Sequence, residues 1–155
     1  MGSYSFKSVG QTPTSVQNSQ VSSPPLPVGI KTPLELGGSD GLLVMNYELE
    51  KQLADNLRNL LQTNWGERLG HYFFGANLKP LTVDFNSQAN FDNEAIARIK
   101  TAVTTWMPFI DLEDFVSEVD NLENKKIGII KIAITYNIPG LNVYGKKIQI
   151  VLYVI

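Results

Sequence analysis

An α+β fold, with two main helices packed on a small antiparallel sheet that ends in a C-terminal β-hairpin, follows from three features of the sequence. Apolar residues recur at helical spacing in two segments of the middle of the chain. The period then changes to two, in two long runs that close it. Ahead of both stand residues 1–34, with seven serines, five prolines and no acidic residue. Such a composition cannot bury enough apolar surface to offset the entropy of ordering it, so an extended N-terminal arm over 1–34 and one folded domain over 35–155 are expected.

Within the arm, Pro24, Pro25, Leu26 and Pro27 favour an extended polyproline conformation and formally match a PxxP ligand. PxxP is common enough that an extended linker is the plainer reading. Order in the arm is expected to come from a neighbouring chain.

The first helix is expected over about 47–63. Asn46 is a candidate N-cap, Glu48 and Glu50 suit the positive end of the helix dipole, and Leu49, Leu53, Leu57, Leu60 and Leu61 make one apolar stripe. Asn64 and Gly66 tolerate left-handed backbone angles and stop it. A second helix is expected over about 92–106, capped by Asp92 or Asn93, with Ile96, Ile99, Val103 and Trp106 on one stripe. Pro108 ends it, because the residue before a proline is pushed out of the helical region. A weaker strand is expected around Phe115 to Val119. In "KIGIIKIAITYNI", Gly128, Ile130, Ile132, Ile134 and Tyr136 share one face; in "KKIQIVLYVI", Ile148, Ile150, Leu152 and Val154 do the same. The last eight residues, "IQIVLYVI", hold no charge and no proline, so as a free edge they would invite aggregation. Either this strand is central in its own sheet, or a partner chain pairs with it by strand addition.

Composition narrows the function classes. A chain of 155 residues, 43% hydrophobic, is one domain with a real core. Its 13 basic and 15 acidic residues give a net charge of -2, which offers no excess of positive charge to a phosphate backbone, so no nucleic-acid partner is expected. With no cysteine and one histidine, neither disulfides nor a metal site is expected, and no cofactor is implied. The longest apolar runs are far shorter than the roughly 20 residues that span a bilayer, so no membrane partner is expected. "MGSYSFK" shows no secretory signal, and Phe6 spoils a myristoylation pattern, which fits a cytoplasmic site of synthesis.

The stretch "TNWGERLGHYFFGANLKPL", residues 63–81, is the richest in candidate chemistry. Among its aromatics, Glu67 could have a raised pKa and act as a general acid, with Asp84 or Asp92 as second carboxylate of a glycosidase. Arg68 next to it argues for an ionised Glu67 instead, and no element is spaced to bring such carboxylates face to face. His71 lacks an accompanying serine or cysteine motif and reads as a packing residue. The structural alternative uses more residues: Glu67 accepts bonds from free backbone N–H groups, Arg68 donates to a carboxylate or to helix-end carbonyls, the aromatics bury against the sheet, and Gly75 and Pro80 shape the exit. That is a rigid joint with no catalytic residue.

A helix ending in "LLQTNWGER", then "FFGANLKPL", then a helix ending at "TTWMPFIDL" and a β-hairpin, resembles the gp25-like family of phage baseplate wedge proteins, relatives of which include a type VI secretion baseplate component. The resemblance spans about residues 30–155. It implies a non-enzymatic structural protein of a contractile-tail baseplate, located in the virion and assembled in the host cytoplasm, in multiple copies around a sixfold ring. It further implies contacts with other wedge proteins and a β-strand platform for the first ring of tail sheath protein. Where the family usually has Trp-Glu-Pro-Arg-Ile, this chain has Trp106, Met107, Pro108, Phe109 and Ile110. Joint loss of an ion pair to apolar groups can be neutral or stabilising, so Met107 and Phe109 are expected to keep this joint as a hydrophobic contact, within the chain or with a neighbour. The expected partner-binding residues are therefore Glu67, Arg68, Met107 and Phe109 at the joint and Ile148, Ile150, Leu152 and Val154 on the last strand. A general adaptor module using the same strand and arm is the alternative, with a lysozyme-type glycoside hydrolase behind it.

Overall fold

The computed structural model describes residues 26–37, 41–83, 88–121 and 128–154. Two short strands, β1 (Gly29–Ile30) and β2 (Met45–Asn46), precede helix α1 (Leu49–Gln62). Helices α2 (Lys79–Val83) and α3 (Gln88–Trp106) follow, and strands β3 (Asp111–Asn121), β4 (Gly128–Ile138) and β5 (Val143–Val154) complete the described fold. The three long strands form one antiparallel sheet in the order β3-β4-β5, so β4 is central and β5 is an edge.

The period-two reading of the last strands holds. Ile130, Ile132, Ile134, Tyr136 and Ile138 of β4, with Ile148 and Ile150 of β5, are buried against the helices. From the helix side come Leu57, Leu60 and Leu61 of α1 and Ala95, Ile99, Ala102 and Val103 of α3. One face of the sheet is thus covered and no described element covers the other, a two-layer α+β arrangement. The hairpin turns through a 3-10 segment, Pro139–Leu141, and Asn142 in the left-handed region at φ 53°.

Several boundaries differ from expectation, each for a local reason. Asn46 does not cap α1: residues up to Glu48 stay extended, and Asn46 pairs with Gly29 in the β1–β2 ladder while its side chain serves Asp55. Helix α3 starts at Gln88, ahead of the expected caps; Asp92 sits inside it and accepts a hydrogen bond from Ser117 Oγ at 2.5 Å, which ties α3 to β3. Strand β3 is longer than the expected 115–119, because a bulge between Leu112 and Asp114 breaks the alternation that would have revealed it.

Residues 1–25 of the expected arm, and Asp84, lie outside the described residues. The rest of the arm is bonded to the domain. Val28 N–H donates to Asn46 O at 2.8 Å and Lys31 N–H to Val44 O at 3.0 Å. Asp55, only 8% exposed, gathers the region: it accepts from Thr32 N–H at 3.0 Å, Asn46 Nδ2 at 2.8 Å and Arg58 at 3.0 Å, and Arg58 also reaches Thr32 O at 3.3 Å. A buried carboxylate with three donors is well compensated, so this knot fastens residues 28–35 to α1.

Candidate interaction surfaces: a cleft at the helix ends and an open strand

The segment after α1 folds back on itself through side-chain bonds. Asn64 donates from its backbone N–H to Glu67 Oε2 at 2.8 Å and from Nδ2 to Oε1 at 2.9 Å, while its Oδ1 accepts from Lys79 N–H at 3.1 Å. These two bonds, the backbone one first, hold the Glu67 carboxyl below its ordinary pKa, with nearby Lys79 adding to them. An exposed carboxylate with both oxygens engaged and its ionised form favoured is poorly matched to a general acid. The expected scaffold role of Glu67 fits this geometry.

The orphan carbonyls at the end of α1 are served by the returning chain, not by Arg68. Ala76 N–H donates to Leu60 O at 3.1 Å and Asn77 N–H to Thr63 O at 3.3 Å. Close approach dictates Gly75, at φ 111°: a Cβ there would lie 2.1 Å from Thr63 O. Arg98 of α3 donates to Asn77 O at 2.7 Å and fixes the return to the second helix.

The aromatics divide into two groups. Phe74 packs on Trp106 with ring centroids 5.1 Å apart, and His71 meets Trp106 at 5.6 Å, which makes His71 the packing residue expected. Trp65, Tyr72 and Phe73 stack edge to face at 5.6 and 5.0 Å and, contrary to the expected burial against the sheet, stay exposed, Tyr72 and Phe73 at 64% and 67% with Leu69 fully so. Trp65 and Phe73 instead line a cleft against α3, beside Arg98, Thr101 and Thr105. Arg68 makes no ion pair among the described residues and lies over the Phe74 ring at 4.1 Å.

Between the C-terminal ends of α1 and α3 these residues form a cleft of about 620 Å³, lined by Asn56, Asn59, Thr63, Glu67, Arg68, Trp106, Met107 and Phe109 among others. Glu67, Arg68, Met107 and Phe109, chosen separately from sequence, therefore face one space. Met107 is buried in the core at 6% exposure, whereas Phe109 is 47% exposed at the rim. Met107 thus makes the expected apolar contact inside the chain, and Phe109 faces outward.

On the last strand, Ile148 and Ile150 are buried and Leu152 and Val154 are packed against the core. Their side chains are spent on the fold. What β5 leaves available is its outer backbone edge and the alternate face, where Val151 and Tyr153 are 39% and 60% exposed.

Among the described residues there is no group of three or more metal-ligating side chains and no helix long and apolar enough to cross a membrane. No protein-family pattern and no curated protein matches the sequence. The fold itself is known. A chain of the cryo-EM structure of the anti-feeding prophage (AFP) baseplate, 6-fold symmetrised, matches with a TM-score of 0.57 at 18% identity, over 70% of this chain and 82% of that one. A crystal structure of a Geobacter sulfurreducens protein, provisionally named a tail lysozyme, gives a TM-score of 0.47 at 24% identity, over 68% of this chain and 89% of that one. The first match shows a shared α+β fold, of the kind the gp25-like resemblance implied.

Proposed function

We propose that this chain is a gp25-like structural subunit of a contractile-tail baseplate wedge, built to hold neighbouring wedge proteins and to receive the first ring of tail sheath. The observation that carries this reading is the state of β5. It lies at a sheet edge and is uncharged from Ile148 onward, with alternate side chains, Ile148, Ile150, Leu152 and Val154, packed on the core and its outer backbone groups without a strand partner among the described residues. Such an edge is a liability in a free molecule and a binding device in an assembly. Fold likeness to a chain of the AFP baseplate supports placing that assembly in a tail. Six such edges around a ring would give the first sheath layer avidity, each contact being weak alone. The cleft holding Arg68, Met107 and Phe109 suits a neighbouring wedge chain, since Phe109 offers an apolar anchor beside a cation.

The test is electron microscopy of the native assembly with this chain labelled. The reading expects label in multiple copies around the tail axis at the baseplate, next to the first sheath ring. Label absent from any tail particle would leave a general adaptor as the better description. Enzymatic function is tested separately: incubation with peptidoglycan is expected to release no reducing ends, and release that Glu67→Gln abolishes would overturn the structural assignment.

A further inference from the structure

The described fold leaves two apolar features exposed, and they stand at opposite ends of α1. Beyond its C-terminal end are the outward rings of Trp65, Tyr72 and Phe73. Trp65 and Phe73 wall a cleft of about 440 Å³ whose other side is α3, at Ala97, Thr101 and Thr105. Toward its N-terminal end, Pro27 is exposed and Leu26 is 86% so. These two close the run Pro24, Pro25, Leu26, Pro27, whose sequence favours the polyproline conformation.

We propose that the cleft between Trp65, Phe73 and α3 is a docking site for the proline-rich segment 24–27 of a second copy of this chain. Backbone chemistry is the first reason. Aromatic rings and a helix face wall the cleft, and neither offers a ladder to an incoming strand. A polyproline segment needs none, and aromatic-lined grooves are its usual receptors. With three residues per turn, Pro24 and Pro27 fall on one ridge about 9 Å apart, which is the edge that enters. The balance of donors is the second reason: three prolines in four residues present carbonyls and almost no N–H. Arg98 answers them, giving Nε to Glu94 at 2.9 Å and Nη1 to Asn77 O at 2.7 Å while its Nη2 has no bond among the described residues. Trp65 Nε1 and the hydroxyls of Thr101 and Thr105 already donate to carbonyls of their own chain, so they demand no acceptor from a ligand. Charge is the third. Glu94 and Arg98, the charged groups of the lining, neutralise each other, and residues 8–30 carry no charged side chain.

The segment comes from another copy because the chain's own cannot reach. Val28 N–H is held by Asn46 O at 2.8 Å, ahead of α1, and Thr32 N–H by Asp55 at 3.0 Å, so the chain recedes from the cleft as it is followed back toward Leu26. Pro24 precedes Val28 by four residues, about 14 Å at full extension. The cleft lies past the far end of α1, whose 14 residues span about 21 Å. A segment at one end and its receptor at the other make a heterologous, head-to-tail contact, which closes into a ring or extends into a filament. This contact uses no residue of β5 and does not depend on the strand-platform reading.

The experiment uses the full chain in sedimentation velocity and a peptide of residues 20–30 in titrations followed by NMR. The parent chain is expected to associate as its concentration rises. The peptide is expected to shift the Trp65 indole and the Thr101 amide and to disperse the associated species. Alanine at all three prolines of the peptide is expected to weaken binding about tenfold, since the preformed conformation is lost. Two chain variants separate receptor from ligand: Thr101→Arg, at an exposed helix position, plugs the cleft, and Pro24→Ala with Pro25→Ala and Pro27→Ala removes the segment. Each alone is expected to stay monomeric, and their equimolar mixture to stop at a dimer, one chain supplying the segment and the other the cleft. No peptide shift at the cleft, or association unchanged in both variants, would overturn the proposal. Association lost in the proline variant but kept in Thr101→Arg would overturn the cleft as receptor. A parent chain that stays monomeric above the peptide's dissociation constant, or tighter binding of a ten-residue proline peptide, would overturn a second copy as the occupant.

Discussion

The two edges of the one sheet are built in opposite ways. Strand β3 carries five carboxylates, Asp111, Glu113, Asp114, Glu118 and Asp120, and no basic residue; β5, of nearly the same length, carries two lysines and no acid. On β3 the charges point outward and a bulge distorts the ladder, both of which discourage pairing with another strand. On β5 the two lysines sit at one end, and the remainder from Ile148 onward is uncharged. Both edges belong to one small sheet and face the same solvent, so solubility alone does not account for the contrast. It teaches that one edge is guarded against strand pairing and the other is not, the property on which the proposed platform role depends.

Substitutions at the two edges should therefore differ in kind. The largest effect is on stability: Ile150→Ala removes a fully buried side chain and is expected to cost about 2–5 kcal/mol in denaturant unfolding, whereas Val116→Ala on β3, half exposed, should cost under about 1 kcal/mol. Equal losses would break the claim that β5 side chains serve the core. Next comes binding. Val151→Lys with Tyr153→Lys should lower affinity for the strand partner by about tenfold or more while shifting stability by less than about 1 kcal/mol, because both side chains lie on the open face. Unchanged binding would mean that the edge is idle. A smaller change is expected from unguarding β3: Glu118→Thr with Asp120→Thr should produce more concentration-dependent self-association in sedimentation velocity than the parent chain shows. Loss of the Asp120–Lys131 bond at 2.5 Å accompanies it but lies on an exposed surface.

The smallest effect lies off the sheet and serves as a reference. The Glu67 pKa is lowered in the folded chain, so its bonds to Asn64 stabilise the fold at neutral pH and that contribution fades as the pH falls through and below the ordinary carboxylate range. Glu67→Gln should be slightly less stable than the parent at pH 7, with the gap closing toward pH 3 in thermal unfolding. A gap that widened on acidification would reverse the assigned sign.

Which parts were legible in the sequence follows from which parts repeat. The stripes of α1 and α3 and the alternation of β4 and β5 are periodic over ten residues or more, and the structure reproduces them with shifts of a few residues at the ends. Strands of two residues leave no period, so β1 and β2 could not be seen, and with them went Asn46, whose side chain answers to Asp55 rather than to a helix end. Nothing in the spacing of Thr32, Asn46, Asp55 and Arg58 announces their meeting, because it is made by tertiary packing. The short α2 shows in the sequence only as a loop exit at Pro80, since five residues are too few for a stripe. At the joint, the sequence points to Glu67 accepting from free backbone N–H groups, and Asn64 N–H is one; that the Asn64 side chain adds a second bond is not signalled. The stacking of Arg68 on Phe74 and the outward aromatics depend on where α3 lies, which no local pattern records.

A near-atomic cryo-EM reconstruction of the assembled particle, with strands traced around this chain, tests the central claim most directly. The account predicts a fourth strand hydrogen-bonded along β5, contributed by another protein, and nothing paired to β3. A β5 edge left in solvent, or a strand added at β3 instead, would contradict it.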